Sequence, residues 1–460
     1  MPTDPAAAPS RGPRARQTFV GFFSALTLVY GVWLLVFWPG VLGQDSLAVL
    51  LEIEAPDKFH SGKTDLWYEF VRILYAHTGH VEVPIAVLMM ATVAVFSRIL
   101  TWQWCSGFYR TTLALMVFIC AAPHMIYFAG TLYPDGIFAV AITGLLFELW
   151  RALKVGRVGG VGLMFIALTL PFAAFARPNG LIFLVPVVVA AWWFNGRERA
   201  LLLLITLASI GLNLAAGSSR LPAGSHGVLF PLAIFETANF LQPRPMNLQP
   251  HSPRLTPETI ELLQRNDMLE KLVSHYDPDY WDPLVFKPSG PQVMSLPQQD
   301  RNVIVKQFFT YNLWHNLPKF AGSRLNVFLV AAFAQGGLPG HGYARNVLEQ
   351  TNSKSKFRVM GWVTAETRLF SLYELSARWR WLLWTPFFGI GLTIWAVTAG
   401  WARRDHALLI ISVPMVVQLG AIVTFSIAGE YRYLLPFFIL PVALVPAFLN
   451  PPTSHAPHPH

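Results

Sequence analysis

Long apolar stretches alternate with short polar turns along most of the chain. Apolar runs lie at about 19–38, 83–101, 111–129, 136–150, 161–176, 180–194, 200–216, 381–400, 406–427 and 433–449. An α-helix rises 1.5 Å per residue, so about 20 such residues cover the roughly 30 Å hydrocarbon core of a bilayer. The pattern predicts an all-α polytopic membrane protein of about ten transmembrane helices. Read as one helix, residues 161–194 would be about 50 Å long, far more than that core. Arg177-Pro178-Asn179-Gly180 interrupts them, which predicts two tilted spans joined by a tight turn. The first run is too long for the apolar core of a cleavable leader and lacks a small-residue cleavage site, so a retained span is expected.

Residues 217–380 are far more polar. Their strongest apolar run, Val327–Ala334, is too short to span. The segment is expected to form a large α-rich extracytoplasmic domain with one amphipathic or interfacial helix near Lys319–Phe333. Leu241–Pro253 reads as a Pro-rich loop. Pro257–Leu272 has helical spacing and begins with Thr256-Pro257-Glu258, a capping residue followed by proline. Asp277–Pro283 reads as an aromatic, acidic turn. The expected organisation is a cytoplasmic tail at 1–18, a seven-span module at 19–216 with its first outer loop at 39–82, the domain at 217–380, three spans at 381–449 and a tail at 450–460. Both tails are Pro-rich, polar and expected to be disordered.

Composition narrows the function classes. The 460 residues are 54% hydrophobic and 13% charged, and mean hydropathy is +0.44. A soluble domain carries about 25% charged residues, so a cytosolic enzyme or a simple nucleic-acid binder is excluded. The two cysteines, Cys105 and Cys120, sit in or beside apolar runs and offer neither a disulfide framework nor a thiolate metal site. The histidines of the last residues read as part of a floppy tail rather than a metal tract. The net charge of +9 reflects basic inner loops first. Within 217–380 the basic residues are scattered among acids, a solvated surface with no nucleic-acid signature.

Charge also sets an orientation. With the N-terminus inside, the inner segments hold Arg11, Arg14, Arg16, Arg98, Arg110, Arg151, Lys154, Arg157, Arg197, Arg199, Arg403 and Arg404. The short outer loops hold only Lys58, Lys63, Arg72, Arg177 and Arg432. This asymmetry follows the positive-inside rule and places 217–380 outside.

The informative polar residues then gather on the outer face. Asp45 follows the first span. Asp135 lies in the turn Tyr133-Pro134-Asp135-Gly136. Arg177 and Asn179 occupy the turn between the two short spans, and Glu430, Arg432 and Tyr433 open the last one. Ionisable groups near membrane depth are costly and mark functional sites by default. Each also has a plainer reading: Asp45 and Asp135 as helix caps, Arg177 as a side chain reaching for headgroups, Glu430 and Arg432 as mutual neutralisers. The case rests on their sharing one face while the spans themselves are nearly free of central charge.

Such a face suits transfer from a lipid-anchored phosphate. Arg grips phosphate through forked, charge-assisted hydrogen bonds. A carboxylate can take the proton of an incoming hydroxyl, typically worth about 10²–10⁴-fold. The leaving phosphate needs charge stabilisation, from Arg or a metal ion. A single displacement would invert the anomeric centre.

In these residues the chain resembles the polytopic GT-C glycosyltransferases, which use polyprenyl-phosphate-linked sugars on the outer face. The matching features are Asp45 just after the first span, the second acid in Tyr133–Gly136, Arg177-Pro178-Asn179-Gly180 and Glu430-Tyr431-Arg432-Tyr433-Leu434-Leu435-Pro436. The amphipathic stretch Phe59–Tyr75 resembles the jaw helix of their first loop. His60 stands where a His-Pro pair is frequent, although Ser61 follows it here. The resemblance covers spans one to seven and the last turn. It implies that Asp45 is the general base and that Asp135 assists it or helps bind a metal. Arg432 and Arg177 would hold the lipid phosphate, with Glu430, Tyr433, Asn179 and His60 in the substrate site. It further implies a bacterial inner-membrane enzyme with a glycan or lipid acceptor. His-rich or multi-carboxylate metal spacing is absent, so no obligatory metal is expected.

Two other classes compete. An envelope polysaccharide polymerase or ligase would use the same lipid donors. A flippase or transporter would also put charges near the membrane, but usually at the midplane on broken helices and with repeat symmetry.

Overall fold

The computed structural model describes residues 13–220, 229–243, 255–336, 344–355 and 378–449, with a few positions between 339 and 377. Among them every regular element is a helix, and the one β contact is an isolated bridge between Tyr280 and Ala428. The expected disorder of residues 1–12 and 450–460, and most of the Pro-rich loop 241–253, falls outside the described residues. Residues 13–18, expected in the tail, are already helical.

In chain order the main helices are α1 (Pro13–Val36), α2 (Gln44–Glu54), α3 (Asp65–Thr78), α4 (Glu82–Cys105), α5 (Tyr109–Ala121), α6 (Pro123–Ala129), α7 (Pro134–Val155), α8 (Gly159–Phe175), α9 (Leu184–Ala191) and α10 (Gly196–Ser218). They continue as α11 (Leu229–Leu241), α12 (Pro257–Arg265), α13 (Leu269–Ser274), α14 (Gln298–Gln307), α15 (Leu317–Ala332), α16 (Phe387–Arg403), α17 (His406–Phe425), α18 (Leu435–Ile439) and α19 (Pro441–Leu449).

Among the described residues, seven segments are long and apolar enough to cross a membrane: Arg14–Val36, Glu82–Cys105, Pro134–Val155, Gly196–Ser218, Arg380–Arg403, His406–Phe425 and Tyr431–Leu449. An eighth results if α5 and α6, bent by 57° at Ala122–Pro123, form one span. The chain is thus all-α with the make-up of a membrane protein, but the count of ten is not reached. The shortfall lies in 161–194 and, where α5 and α6 are counted apart, in 111–129 as well. The break at Arg177–Gly180 is present, yet α8 has 17 residues and is about 26 Å long, short of the core, and its partner is a 3-10 turn (Pro178–Phe183) followed by the eight-residue α9.

The chain divides into two compact units. The first comprises Met1–Ala223, Leu338–Gln418 and Leu435–His460. Its centre is α7, buried at every position from Pro134 to Ala152. Glycines on α7 let neighbours in: a Cβ on Gly136 would stand 2.0 Å from the Phe128 carbonyl oxygen, and one on Gly144 2.7 Å from Val95. Peripheral helices turn apolar side chains outward instead, such as Leu28 on α1 and Leu204 and Leu214 on α10, as lipid-facing surfaces do. Residues 344–355, expected in the outer domain, belong to this unit. Lys354 N–H bonds the Gly79 carbonyl at 2.6 Å, and Val81 N–H bonds Ser355 Oγ at 2.8 Å.

The spans of this unit are not free of charge. Glu148 on α7 is buried and accepts Arg98 Nε of α4 at 2.7 Å and Arg151 Nε at 2.9 Å. Arg151 also donates to the Val158 carbonyl at 3.0 Å. The cluster lies in the C-terminal halves of α4 and α7, and Glu148 is the acid in it that the charge reading did not count. The carboxylate is tolerated because two guanidiniums flank it, the condition for a buried ion.

The second unit is Gly224–Gly337 with Leu419–Leu434. Its core forms around α11, where Phe230, Phe235 and Phe240 are fully buried together with Leu263, Leu272, Leu284 and Phe308. The sequence reading passed over α11. Thr256 caps α12 as expected, its hydroxyl accepting Thr259 N–H at 3.4 Å. The helix expected to run to Leu272 breaks at Asn266–Met268, where Asp267 takes a left-handed φ of 54°. The helix expected at Lys319–Phe333 is present as α15.

Candidate functional site

In the first unit the turns after α1, before α3, before α7 and after α8 close into one circuit of contacts. The loop leaving α1 is docked on the turn ahead of α7. Val41 N–H bonds the Gly130 carbonyl at 2.8 Å, and Ser46 Oγ meets Thr131 Oγ1 at 3.4 Å. Gly43 allows the approach, since a Cβ there would stand 2.3 Å from Tyr133 Oη. Gly43, not Asp45, is the N-cap of α2. Asp45 sits inside the first turn, and its carboxylate pairs with Lys63 Nζ at 2.5 Å. The capping explanation of Asp45 therefore fails.

Lys63 leads into α3 through its N-cap, Thr64, whose Oγ1 donates to the Ala176 carbonyl at 3.1 Å. The next residue, Arg177, precedes a 3-10 turn opened by Pro178. That turn folds tightly onto α8: a Cβ on Gly180 would stand 2.5 Å from the Ala173 carbonyl oxygen. The Arg177 guanidinium pairs with the Asp135 carboxylate. Asp135 is in the first turn of α7, after Pro134, and only 1% exposed. Tyr133 returns the path to Gly43. Asn179 adds a buried Oδ1 that meets no donor among the described residues.

Two ion pairs thus share one circuit, with the cations Lys63 and Arg177 linked through Thr64 and Ala176 and the acids Asp45 and Asp135 linked through Gly43 and Tyr133. Asp45 and Lys63 keep about a fifth of their side-chain surface accessible, while Asp135 keeps almost none. The acids differ accordingly: Asp45 is reachable, and Asp135 serves to hold Arg177.

His60 is elsewhere in the same unit. Its Nδ1 lies 3.1 Å from Glu52 Oε1. Glu52 also receives Arg220 Nε at 2.7 Å and Nη2 at 2.8 Å, and Ser61 N–H at 2.8 Å. Burial alone would raise the Glu52 carboxyl, but the hydroxyl and N–H of Ser61 and the Arg220 guanidinium outweigh it and hold the group below its ordinary value. Arg220 also donates to the Lys63 carbonyl at 2.7 Å and to Asp65 at 3.0 Å. The cluster thereby clamps the chain that presents Lys63. Neither Lys63, Glu52 nor Arg220 was singled out by sequence. Lys63 could have been, since it is an outer-loop cation against the inside bias, the argument applied to Arg177.

Glu430, Arg432 and Tyr433 belong to the second unit. Arg432 Nε pairs with Glu430, and the guanidinium lies 5.5 Å from the centre of the Tyr433 ring. Their segment is fixed by Gly429 N–H to the Asp279 carbonyl at 2.7 Å and Tyr431 N–H to the Gly336 carbonyl at 2.8 Å.

The first unit also holds an apolar cavity of about 580 Å³, lined by Trp33, Phe37, Phe118, Tyr127, His124 and Trp384 among others. None of the four charged residues lines it; Phe37 precedes the loop carrying Asp45, and Tyr127 the turn carrying Asp135. The His124 ring is held between Trp384, 4.0 Å away, and Phe438, 3.9 Å away. Among the described residues no group of three or more His, Cys, Asp or Glu is placed to hold a metal ion. No protein-family model, curated protein or solved structure matches the chain.

Proposed function

We propose that the protein is an inverting glycosyltransferase of the outer membrane face, moving a sugar from a polyprenyl-phosphate donor to a glycan or lipid acceptor of the bacterial cell envelope. The observation that carries this reading is the circuit of ion pairs Asp45–Lys63 and Arg177–Asp135 in a unit that also holds an apolar cavity. A donor with a charged head and a long apolar chain calls for both features. Its phosphate would compete with the two carboxylates for Lys63 and Arg177, charge-assisted partners that suit phosphate as well as carboxylate. Losing Lys63 to the phosphate would free Asp45.

Asp45 would then take the proton of the acceptor hydroxyl as that oxygen bonds to the anomeric carbon. The bond from that carbon to the phosphate oxygen breaks with its electron pair on the phosphate, which Arg177 and Lys63 stabilise. Asp135 keeps Arg177 aimed. The unpaired Asn179 Oδ1 would accept a sugar hydroxyl. Arg432 is read as a phosphate ligand from the family resemblance alone.

The test uses protein in proteoliposomes with a panel of isotopically labelled polyprenyl-phosphate hexoses and envelope membranes as acceptor source. Transfer of label, with release of polyprenyl phosphate dependent on Asp45, is the expected result. Movement of intact donor across the bilayer without release would replace the reading with a flippase.

A further inference from the structure

Helix α15 in the second unit is built inside out. A helix on a water-exposed surface shows its charges to solvent and its apolar stripe to the core. Here every charged or hydrogen-bonding side chain is spent inward. Lys319 Nζ donates to the carbonyls of Phe240 and Gln242 at 3.0 and 2.8 Å. Ser323 Oγ donates to Glu236 at 2.7 Å, and Arg324 pairs with the same buried carboxylate. Asn326 Nδ2 donates to Asp279 at 2.8 Å. The face turned away carries Leu317, Leu325 and Leu329, exposed by 47%, 57% and 39%, with Ala321 and Gly322 between them. Just ahead of the helix, Trp314 is 63% exposed, and its single polar atom is satisfied by the Phe309 carbonyl at 2.8 Å.

The helix is also bonded to the residues that leave α17. Arg324 also donates to the carbonyl of Ser426, the residue that follows the end of α17, a helix apolar enough to cross a bilayer. Close packing reinforces the bond: a Cβ on Gly429 would stand 2.3 Å from Val330. The middle of α15 is therefore held against the residues that follow α17, and if α17 crosses the bilayer that end lies at the bilayer's boundary.

We propose that the outward face of α15 is seated among the apolar chains of the bilayer, so that the second unit is anchored in lipid by this helix. Sixteen residues make a helix of about 24 Å, too short to cross the core and long enough to lie along its boundary. Water on this face would leave a contiguous apolar surface unexplained. In lipid the arrangement is the favourable one: apolar groups outward and each polar group satisfied within the protein. Trp314 then takes the position of an interfacial anchor.

The test is nitroxide accessibility in proteoliposomes. In a background with Cys105→Ala and Cys120→Ala, labels are placed separately by Leu325→Cys, Leu329→Cys and Leu317→Cys, and by Asp267→Cys as a solvent control on the same unit. Oxygen partitions into lipid and a nickel chelate into water. The expected result is an oxygen-to-chelate collision ratio severalfold higher at the three leucine positions than at Asp267. Chelate access equal to that at Asp267 would show the face in water and overturn the proposal. Loss of access to both reagents with dipolar broadening would assign the face to a second copy and overturn it equally. Three independent positions keep the outcome readable if one variant misfolds.

Discussion

Thr64 Oγ1 donates to the carbonyl of Ala176 at 3.1 Å, and the residues flanking that bond are the two cations of the circuit. Lys63 precedes Thr64 and reaches Asp45; Arg177 follows Ala176 and reaches Asp135. One side-chain bond thus spaces two ion pairs whose members come from four turns of the chain.

Asp45→Asn separates charge from shape. The amide keeps an oxygen for Lys63, and α2 loses no cap, because Gly43 occupies that position. Only the basicity goes. The expected result is a loss of sugar transfer of about 10²-fold or more, the usual worth of a positioned base, with the melting temperature in detergent unchanged. Transfer within a few-fold of wild type would leave the Asp45–Lys63 pair a purely structural contact.

The Asp135–Arg177 pair is expected to be unforgiving when halved. Arg177→Leu strands a carboxylate that is 1% exposed, which costs about 3–5 kcal/mol in comparable buried pairs. Arg177→Leu combined with Asp135→Leu removes both charges and should recover much of that loss while remaining inactive. Thermal unfolding in detergent across the four-member cycle checks this. Equal stability of the single and double variants would mean that Asp135 is not held by Arg177.

The apolar runs, the broken turn at Arg177–Gly180 and α15 were legible because hydrophobic spacing is a local signal. So was the grouping of Asp45, Asp135 and Arg177 into one set of turns. What escaped depends on partners distant in sequence. Glu52 and Arg220 are 168 residues apart, and neither stands out without the other. Glu148 reads as a lone acid in an apolar run until Arg98 arrives from another helix. Pro257–Leu272 kept helical spacing through a break that only the backbone at Asp267 discloses. The span count failed because composition marks a segment as apolar, whereas crossing requires unbroken helical length, which Pro178 and the 3-10 turn deny to 178–191.

Sidedness follows from a second ion pair. Lys154 Nζ lies 2.5 Å from Asp405 Oδ2, so the end of α7 and the start of α17 share one end of the first unit. Asp135 begins α7 and lies about 28 Å from Lys154 along the helix axis. Reporters fused near residues 155 and 404 are expected to read the same compartment, the cytoplasm, and a reporter near 60 the opposite one. Opposite readings at 155 and 404 would be incompatible with the pair.

Acid should weaken the first unit through Glu52. Its folded carboxyl titrates below the unfolded value of about 4.3. A depressed carboxyl contributes stability that is complete above the unfolded value and lost as pH falls through the folded one. Glu52→Gln is expected to lower the melting temperature at neutral pH and to flatten its decline below about pH 5. A decline as steep as that of wild type would place the acid sensitivity in other carboxyls.

Arg432→Lys tests the second unit's charge cluster on its own. Arg432 is paired with Glu430 through Nε, and its plane lies over Tyr433. That pairing occupies one edge of the guanidinium and leaves the planar fork oriented, which a Lys ammonium cannot reproduce. If Arg432 grips the donor phosphate, Lys forfeits a charged hydrogen bond worth about 1.5–3 kcal/mol, or roughly one to two decades in donor binding or turnover. Glu430→Gln should show a smaller loss, since it loosens the guanidinium without removing it. Transfer rate against donor concentration, on protein shown to be stable in detergent, separates the cases. Lys performing as well as Arg across the donor range would reduce Arg432 to an anchor at the membrane surface and leave the phosphate to Arg177 and Lys63.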